Sequence, residues 1–187
     1  SRPAVASRRD TLNAFELSLR QRLVGGFDAY GKWGQSFRVA TANENYNVFT
    51  GTVTLLLPQK SHDGEVGVEF RNRSTRVRAA AFASYLTNEI HLLVLNGTPT
   101  FGFGANSNLA PTQRTGFELE GSWHPLAELS LSAIYQHTRA TFRSGTYDGI
   151  DLAGKEVPLV PSQLLTLNAA WRIGNGHNLA ANLRFVG

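Results

Sequence analysis

The feature that most constrains this chain is a period of two. Phe15, Leu17 and Leu19 fall on one side of the first patterned segment, and Glu16, Ser18 and Arg20 on the other. A repeat of two residues belongs to a strand with one apolar and one polar face, because successive side chains point to opposite sides of the pleat. The pattern returns along the chain. Phe27, Ala29 and Trp33 oppose Asp28, Tyr30 and Lys32; Val66, Val68 and Phe70 oppose Glu65, Glu69 and Arg71. Val77, Ala79, Ala81, Ala83 and Tyr85 share a phase, as do Phe117, Leu119 and Trp123 against Glu118, Glu120 and Ser122. Leu129, Leu131, Ala133 and Tyr135 continue it, followed by Leu165, Leu167, Ala169 and Trp171, then Leu179, Ala181, Leu183 and Phe185.

These segments predict about eight strands, near 13–22, 27–36, 65–71, 75–95, 115–123, 128–142, 162–172 and 179–186. The apolar run Ile90–Leu95 reads as an extension of the fourth strand beyond an irregularity at Thr87-Asn88. The connections alternate between short and long. Gly25-Gly26, Asn72–Ser74, His124–Ala127 and Gly174-Asn175-Gly176 make tight turns. Phe37–Gly64, Asn96–Pro111 and Arg143–Pro161 are too long for ordinary hairpins. In an antiparallel meander every short turn then lies at one end and every long loop at the other. The expected fold class is all-β, an antiparallel meander of long strands forming part of a transmembrane β-barrel, where such strands need ~9–11 residues to cross.

Composition removes other classes. No run approaches the ~18 apolar residues of a membrane helix. Cysteine is absent, which excludes disulfides, thiolate metal sites and thiol nucleophiles. Eighteen Lys+Arg against 14 Asp+Glu give +4, but the cations are scattered, so no nucleic-acid partner is indicated. The chain opens at Ser1 with no signal peptide and is still alternating where it stops at Gly187. Residues 1–187 are therefore expected to be a fragment, cut at both ends, of one barrel domain.

Alternation does not say which face looks inward. A soluble, lipocalin-like barrel turns its apolar face in around a ligand; a membrane barrel turns it out. Trp123 and Trp171 share the apolar face near the short-turn end, close to Phe27 and Phe70, as an interfacial aromatic girdle requires. Glu16, Arg20, Glu69, Arg71, Arg78, Glu118, Glu120, Arg172 and Arg184 would then line a hydrated lumen.

Local strings add to the pattern. Tyr30-Gly-Lys-Trp-Gly-Gln-Ser-Phe-Arg38 continues to Thr41 and Glu44, with Ala40 where proline is usual. Leu57-Pro58-Gln59-Lys60-Ser61 precedes Glu65-Val-Gly-Val-Glu69. Gly116-Phe-Glu-Leu-Glu120 and Val157-Pro158-Leu-Val-Pro161 follow. In this order they resemble TonB-dependent outer-membrane receptors. The resemblance implies the C-terminal part of a barrel of about 22 strands around a plugged lumen. It also implies a bacterial outer-membrane location, contact with membrane lipid, and uptake of a small-molecule nutrient such as a ferric siderophore or similar metal chelate. The plug domain is expected to be absent, and the TonB complex to be engaged only through the absent N-terminal region. A small soluble barrel binding an apolar ligand and a passive porin remain the alternatives.

No catalytic or cofactor constellation emerges. His62, His91, His124, His137 and His177 lack metal-ligand spacing, and no G-x-S-x-G or phosphate loop occurs. The expectation is a transporter rather than an enzyme, with no cofactor and no metal site. Arg38, Glu44 and Leu57–Ser61 read as structural loop roots. Candidate ligand contacts are the loop aromatics Tyr46, Phe101, Phe103 and Tyr147, since rigid rings bind at low entropic cost.

Overall fold

The computed structural model describes residues 7–47, 51–94, 104–147, 149–174 and 176–187. Eight strands form one antiparallel sheet in chain order. They are β1 (Phe15–Arg22), β2 (Phe27–Arg38), β3 (Gln59–Arg71), β4 (Thr75–Thr87), β5 (Thr112–Leu126), β6 (Leu129–Phe142), β7 (Gln163–Ile173) and β8 (His177–Val186). Each strand pairs with its neighbours in sequence and nothing crosses over, as expected of a meander.

The short connections take the conformations their residues favour. Gly25 and Gly26 close the first turn at φ 70° and 84°, the left-handed region that glycine enters without steric penalty. Asn72 closes the second: its side-chain oxygen accepts from the backbone N–H of Ser74 at 2.9 Å and of Thr75 at 2.8 Å. The long connections all emerge at the opposite end. The first carries a one-turn helix α1 (Ala42–Asn45) and a two-residue hairpin, Tyr46–Asn47 against Thr52–Val53.

Three expectations change. β3 begins at Gln59 rather than Glu65, because Phe37 and Arg38 of β2 keep pairing with Lys60 and Gln59. This stretch lacks alternation because it lies beyond the apolar band. β5 runs from Thr112 to Leu126 for the same reason, so His124 and Pro125 belong to the strand and the turn is only Ala127-Glu128. Ile90–Val94 does not extend β4. Asn88 adopts φ 56° and turns the chain away, and Ile90–Val94 pairs instead with Gly104–Asn108 in a separate hairpin above the sheet.

Register fixes which residues share a face, because directly paired residues point the same way. The row Phe27–Phe70–Val77–Gly121–Ala133–Leu167–Leu183 runs along one face from β2 to β8, and Asp28–Glu69–Arg78–Glu120–Ile134–Thr166–Arg184 along the other. The two faces differ in crowding. Among the described wall residues, Glu69, Ala80, Leu86, Thr112, Thr138, Ala140 and Phe142 are buried, and all lie on the polar face. Thr141, covered by the bridge to Glu156, is the exception. On the apolar face Leu17, Leu19, Val66, Trp33, Leu179 and Leu183 stand exposed. A curved wall crowds its concave side, so the polar face is the inner one. That is the reverse of a soluble ligand-binding barrel.

The outward face is graded along its height. Phe27 and Phe70 pack at 4.9 Å near the short-turn end, the level of Trp123 and Trp171. Phe15 meets Trp33 edge-on at 5.0 Å toward the loop end. Between them the face is mainly Leu, Val and Ala, with Gly31, Phe117 and Tyr135 among them, the composition of a hydrocarbon-facing band.

Candidate functional site

The inner face of β1–β5 is an ion-pair lattice in two tiers. In the tier nearer the short turns, Glu69 is 3% exposed and its carboxylate accepts from Arg20 at 2.8 Å, from Arg71, and from both Nε and Nη2 of Arg76 at 3.1 Å. Burying a carboxylate is costly unless it is paired and hydrogen-bonded; here β1, β3 itself and β4 each bring it a guanidinium. In the second tier Arg78 is the hub. It donates to Tyr30 Oη at 2.7 Å, reaches Glu118 at 3.3 Å and Glu120 at 3.2 Å, and bonds Glu65. Glu65 also takes Lys32 Nζ at 2.9 Å and the Tyr30 hydroxyl at 2.7 Å.

Two glycines make room for the aromatics of this face. Tyr30 pairs with Gly67, and a Cβ on that glycine would fall 2.6 Å from the phenol oxygen. Phe82 pairs with Gly116, where an added Cβ would meet Phe82 Cζ at 2.7 Å and clash with the His137 carbonyl. The Glu65-x-Gly67 and Gly116-x-Glu118 strings thus each supply a carboxylate to Arg78 and a floor for an aromatic ring.

Above the lattice the three loops are tied together. Thr41 and Glu44 form a reciprocal capping box at α1, and Glu44 also takes Arg38 Nη1 at 2.7 Å. The Arg38 guanidinium, with the Thr41 N–H, holds the Glu44 carboxyl below the usual carboxylate range. Asn108 joins the first two loops: its side chain accepts from Leu57 N at 2.8 Å and donates to Leu57 O at 2.9 Å and Asn88 O at 2.8 Å. Glu89 is buried beside them and accepts from Thr112 Oγ1 at 2.9 Å, from Arg114, and from His91, whose Nε2 lies 3.0 Å away. Burial pushes its carboxyl up, but the bonds from Arg114, His91 and Thr112 prevail and hold it low. The third loop packs Val157, Leu152 and Val160 against Ala140, Phe142, Leu109 and Ala110.

Of the sequence candidates, Tyr46 is 49% and Tyr147 48% exposed, each in a two-residue hairpin at the loop end. Phe101 and Phe103 lie outside the described residues. Arg38, Glu44 and the Leu57–Ser61 segment are loop roots, as expected. The braces at Asn108, Glu89 and Arg114 were not anticipated. The one visible signal for them was the irregularity at Thr87-Asn88. Among the described residues no cluster of His, Asp or Glu has the form of a metal site.

Comparison with solved structures gives the same architecture. The chain superposes on the alcaligin outer-membrane receptor FauA of Bordetella pertussis with TM-score 0.60 at 18% identity, over 92% of this chain and 29% of that one. For the siderophore receptor PiuA of Acinetobacter baumannii the values are 0.65, 16%, 92% and 26%. For the ferric yersiniabactin uptake receptor FyuA of Yersinia pestis they are 0.65, 22%, 92% and 25%. The chain thus spans about a quarter of the receptors it matches, and identities this low speak to fold alone. No curated protein sequence matches it. Residues 10–187 match the family described as TonB dependent receptor-like, beta-barrel. With its polar face inward, its apolar face outward and its long loops at one end, the chain belongs to this family of bacterial outer-membrane β-barrel receptors.

Proposed function

We propose that the chain is part of the wall of an outer-membrane receptor that captures a scarce small-molecule nutrient and passes it inward. A metal chelate of the siderophore class is the favoured cargo. The whole protein would add the remaining strands and a plug, through which the TonB complex would act.

One observation carries this reading. Among the described residues, side chains brace the loop roots over a charged lumenal wall, with Tyr46 and Tyr147 exposed beside them. A passive pore gains nothing from braced loop roots that bear aromatics; a receptor gains affinity, because segments ordered in advance pay less entropy on binding. The ferric yersiniabactin uptake receptor FyuA shares this fold, which makes ferric siderophores the first ligands to assay.

The test is uptake of radiolabelled ferric siderophores by cells carrying the full-length receptor. Growth-limited uptake dependent on the receptor and on TonB is expected. Tyr46→Ala and Tyr147→Ala should weaken cell-surface binding by about tenfold where either ring contacts cargo, the order of an aromatic anchor. TonB-independent passage of unrelated solutes of the same size would instead establish a passive pore.

A further inference from the structure

The inward face changes character between β5 and β6. Each inward cation of β1–β5, from Arg20 to Arg114, has a carboxylate partner. β6, β7 and β8 carry no carboxylate on either face. Arg172 and Arg184, which point inward on β7 and β8, form no ion pair among the described residues. Glu128 of the turn before β6 accepts from the Arg172 N–H at 2.8 Å through its backbone oxygen, and its carboxylate forms no ion pair. Arg184 shares the register row of Arg78, whereas Arg172 lies at the short-turn end. Asn178, directly opposite Arg172, is about 20 Å down β8 from Arg184 at the usual rise of a strand. Between the two arginines the wall is small and neutral. Asn168 donates to Ser132 Oγ at 3.1 Å and accepts from Asn182, and Ala170 pairs with Ala180 one step further down.

We propose that the inward face of β6–β8 is a water-facing, anion-selective strip, along which an anionic cargo moves from Arg184 to Arg172. The short-turn end of such barrels is the inner one, so this is the direction of entry. The strip rests on the receptor reading for the identity of its cargo, but its preference for negative charge is measurable without one. Charge complementarity selects the occupant. A guanidinium already paired with a carboxylate has little field left for another anion. An unpaired one attracts a negative group and grips its oxygens with a planar fork of donors. Arginines lining an aqueous passage favour anions, and passage requires sites weak enough to leave. The hydroxyl and amides of Ser132, Asn168 and Asn182 meet that need, since they bond the cargo without a charge to hold it. The wall of β1–β5, neutralised pair by pair, has no free cation for an anion to meet.

The experiment puts Asn182→Cys into the full-length receptor, freed of other cysteines. It compares the rates at which an anionic and a cationic methanethiosulfonate react there, each relative to a free thiol in solution. The anionic reagent should be favoured by about fivefold or more. R172Q/R184Q should bring the two relative rates to within about twofold, and R172K/R184K should keep the preference. R22Q, which removes an exposed cation from β1, should leave it unchanged. A second arm follows a radiolabelled anionic ferric tris-catecholate in cells. There R172Q/R184Q should slow uptake by about tenfold while cell-surface binding stays at the wild-type level. Should the double variant not fold, judged by heat-modifiable migration, R184Q alone carries both arms, with a loss of about threefold or more. Equal relative rates at N182C, or a preference that survives R172Q/R184Q, overturns the strip. So does wild-type uptake by that variant. Failure of both reagents to label N182C also overturns it, placing the plug against this wall. Absence of TonB-dependent uptake in the wild type counts against this cargo alone, and the labelling rates then decide the strip.

Discussion

Tyr30 of β2 lies across Gly67 of β3, and its hydroxyl, donating to Glu65 at 2.7 Å, also accepts from Arg78 Nε at 2.7 Å. The glycine is required because the ring occupies the space a side chain would fill. A Cβ at position 67 would stand 2.6–2.7 Å from three atoms of the phenol. Gly67→Ala must therefore tip Tyr30 off the sheet and loosen its bonds to both partners. The expected cost is about 1–3 kcal/mol, the usual range for overpacking. Urea unfolding of the detergent-folded receptor measures it. The double variant Gly67→Ala/Tyr30→Ala should recover the steric part, and absence of recovery would place the strain elsewhere.

Arg78 pairs with Glu65, Glu118 and Glu120 from one position on β4. Its side chain is 16% exposed, so these are not freely solvated surface pairs. Arg78→Met leaves three carboxylates facing one another with, among the described residues, only Lys32 paired to them. Breaking a buried pair costs about 3–5 kcal/mol, and a hydrated lumen brings the expectation to about 2–3 kcal/mol. Arg22→Met, with the Arg22 side chain 91% exposed and 3.9 Å from Asp28, should change stability by less than about 0.5 kcal/mol. Equal losses for the two variants would show that the lattice adds nothing beyond general charge balance.

The loop braces give a dependence on pH. The Glu44 and Glu89 carboxyls are both held below their ordinary value of 4.5 when folded. A depressed carboxyl binds fewer protons folded than unfolded. Its stabilisation is complete above the unfolded value and disappears as pH falls through the folded one. The loop roots should therefore keep constant protection at neutral pH and lose it progressively below about pH 4.5. Hydrogen exchange of residues 41–46 and 88–92 follows this directly. Glu89→Gln should flatten the acid-side loss in the second segment while leaving that of the first. A variant still showing the full loss would assign it to another group.

The period of two made the eight strands legible, and their order followed from the alternation of short and long connections. What the pattern missed were stretches where both faces are polar. Gln59–Gly64 and Thr112–Gln113 pair as regularly as any other part of the sheet but carry no apolar side to announce it. The same blindness hid the loop braces. Asn108 works through its amide toward Leu57 and Asn88, contacts set by tertiary placement and by no local spacing. Ile90–Val94 misled in the opposite sense, since an apolar run following a strand reads as more strand unless the left-handed Asn88 is foreseen. Inside and outside were undecidable from alternation alone; only the crowding of Glu69, Ala80 and Thr138 on one face distinguishes them.

That distinction has a sharp experimental consequence. Val66 stands 63% exposed at mid-height on the outward face, between Gly31 and Ala81. Ser132 lies on the inward face, between Ser122 and Asn168. Arginine on a lipid face at mid-height costs about 2–4 kcal/mol, whereas a lumenal position is hydrated and tolerant. Val66→Arg should therefore lower the stability of the folded receptor in lipid by that amount, with Ser132→Arg within about 0.5 kcal/mol of wild type. Equilibrium unfolding in phosphatidylcholine vesicles reads both. An inverted barrel would inflict the larger loss on the Ser132 variant, and no rearrangement of loops or cargo could produce that reversal.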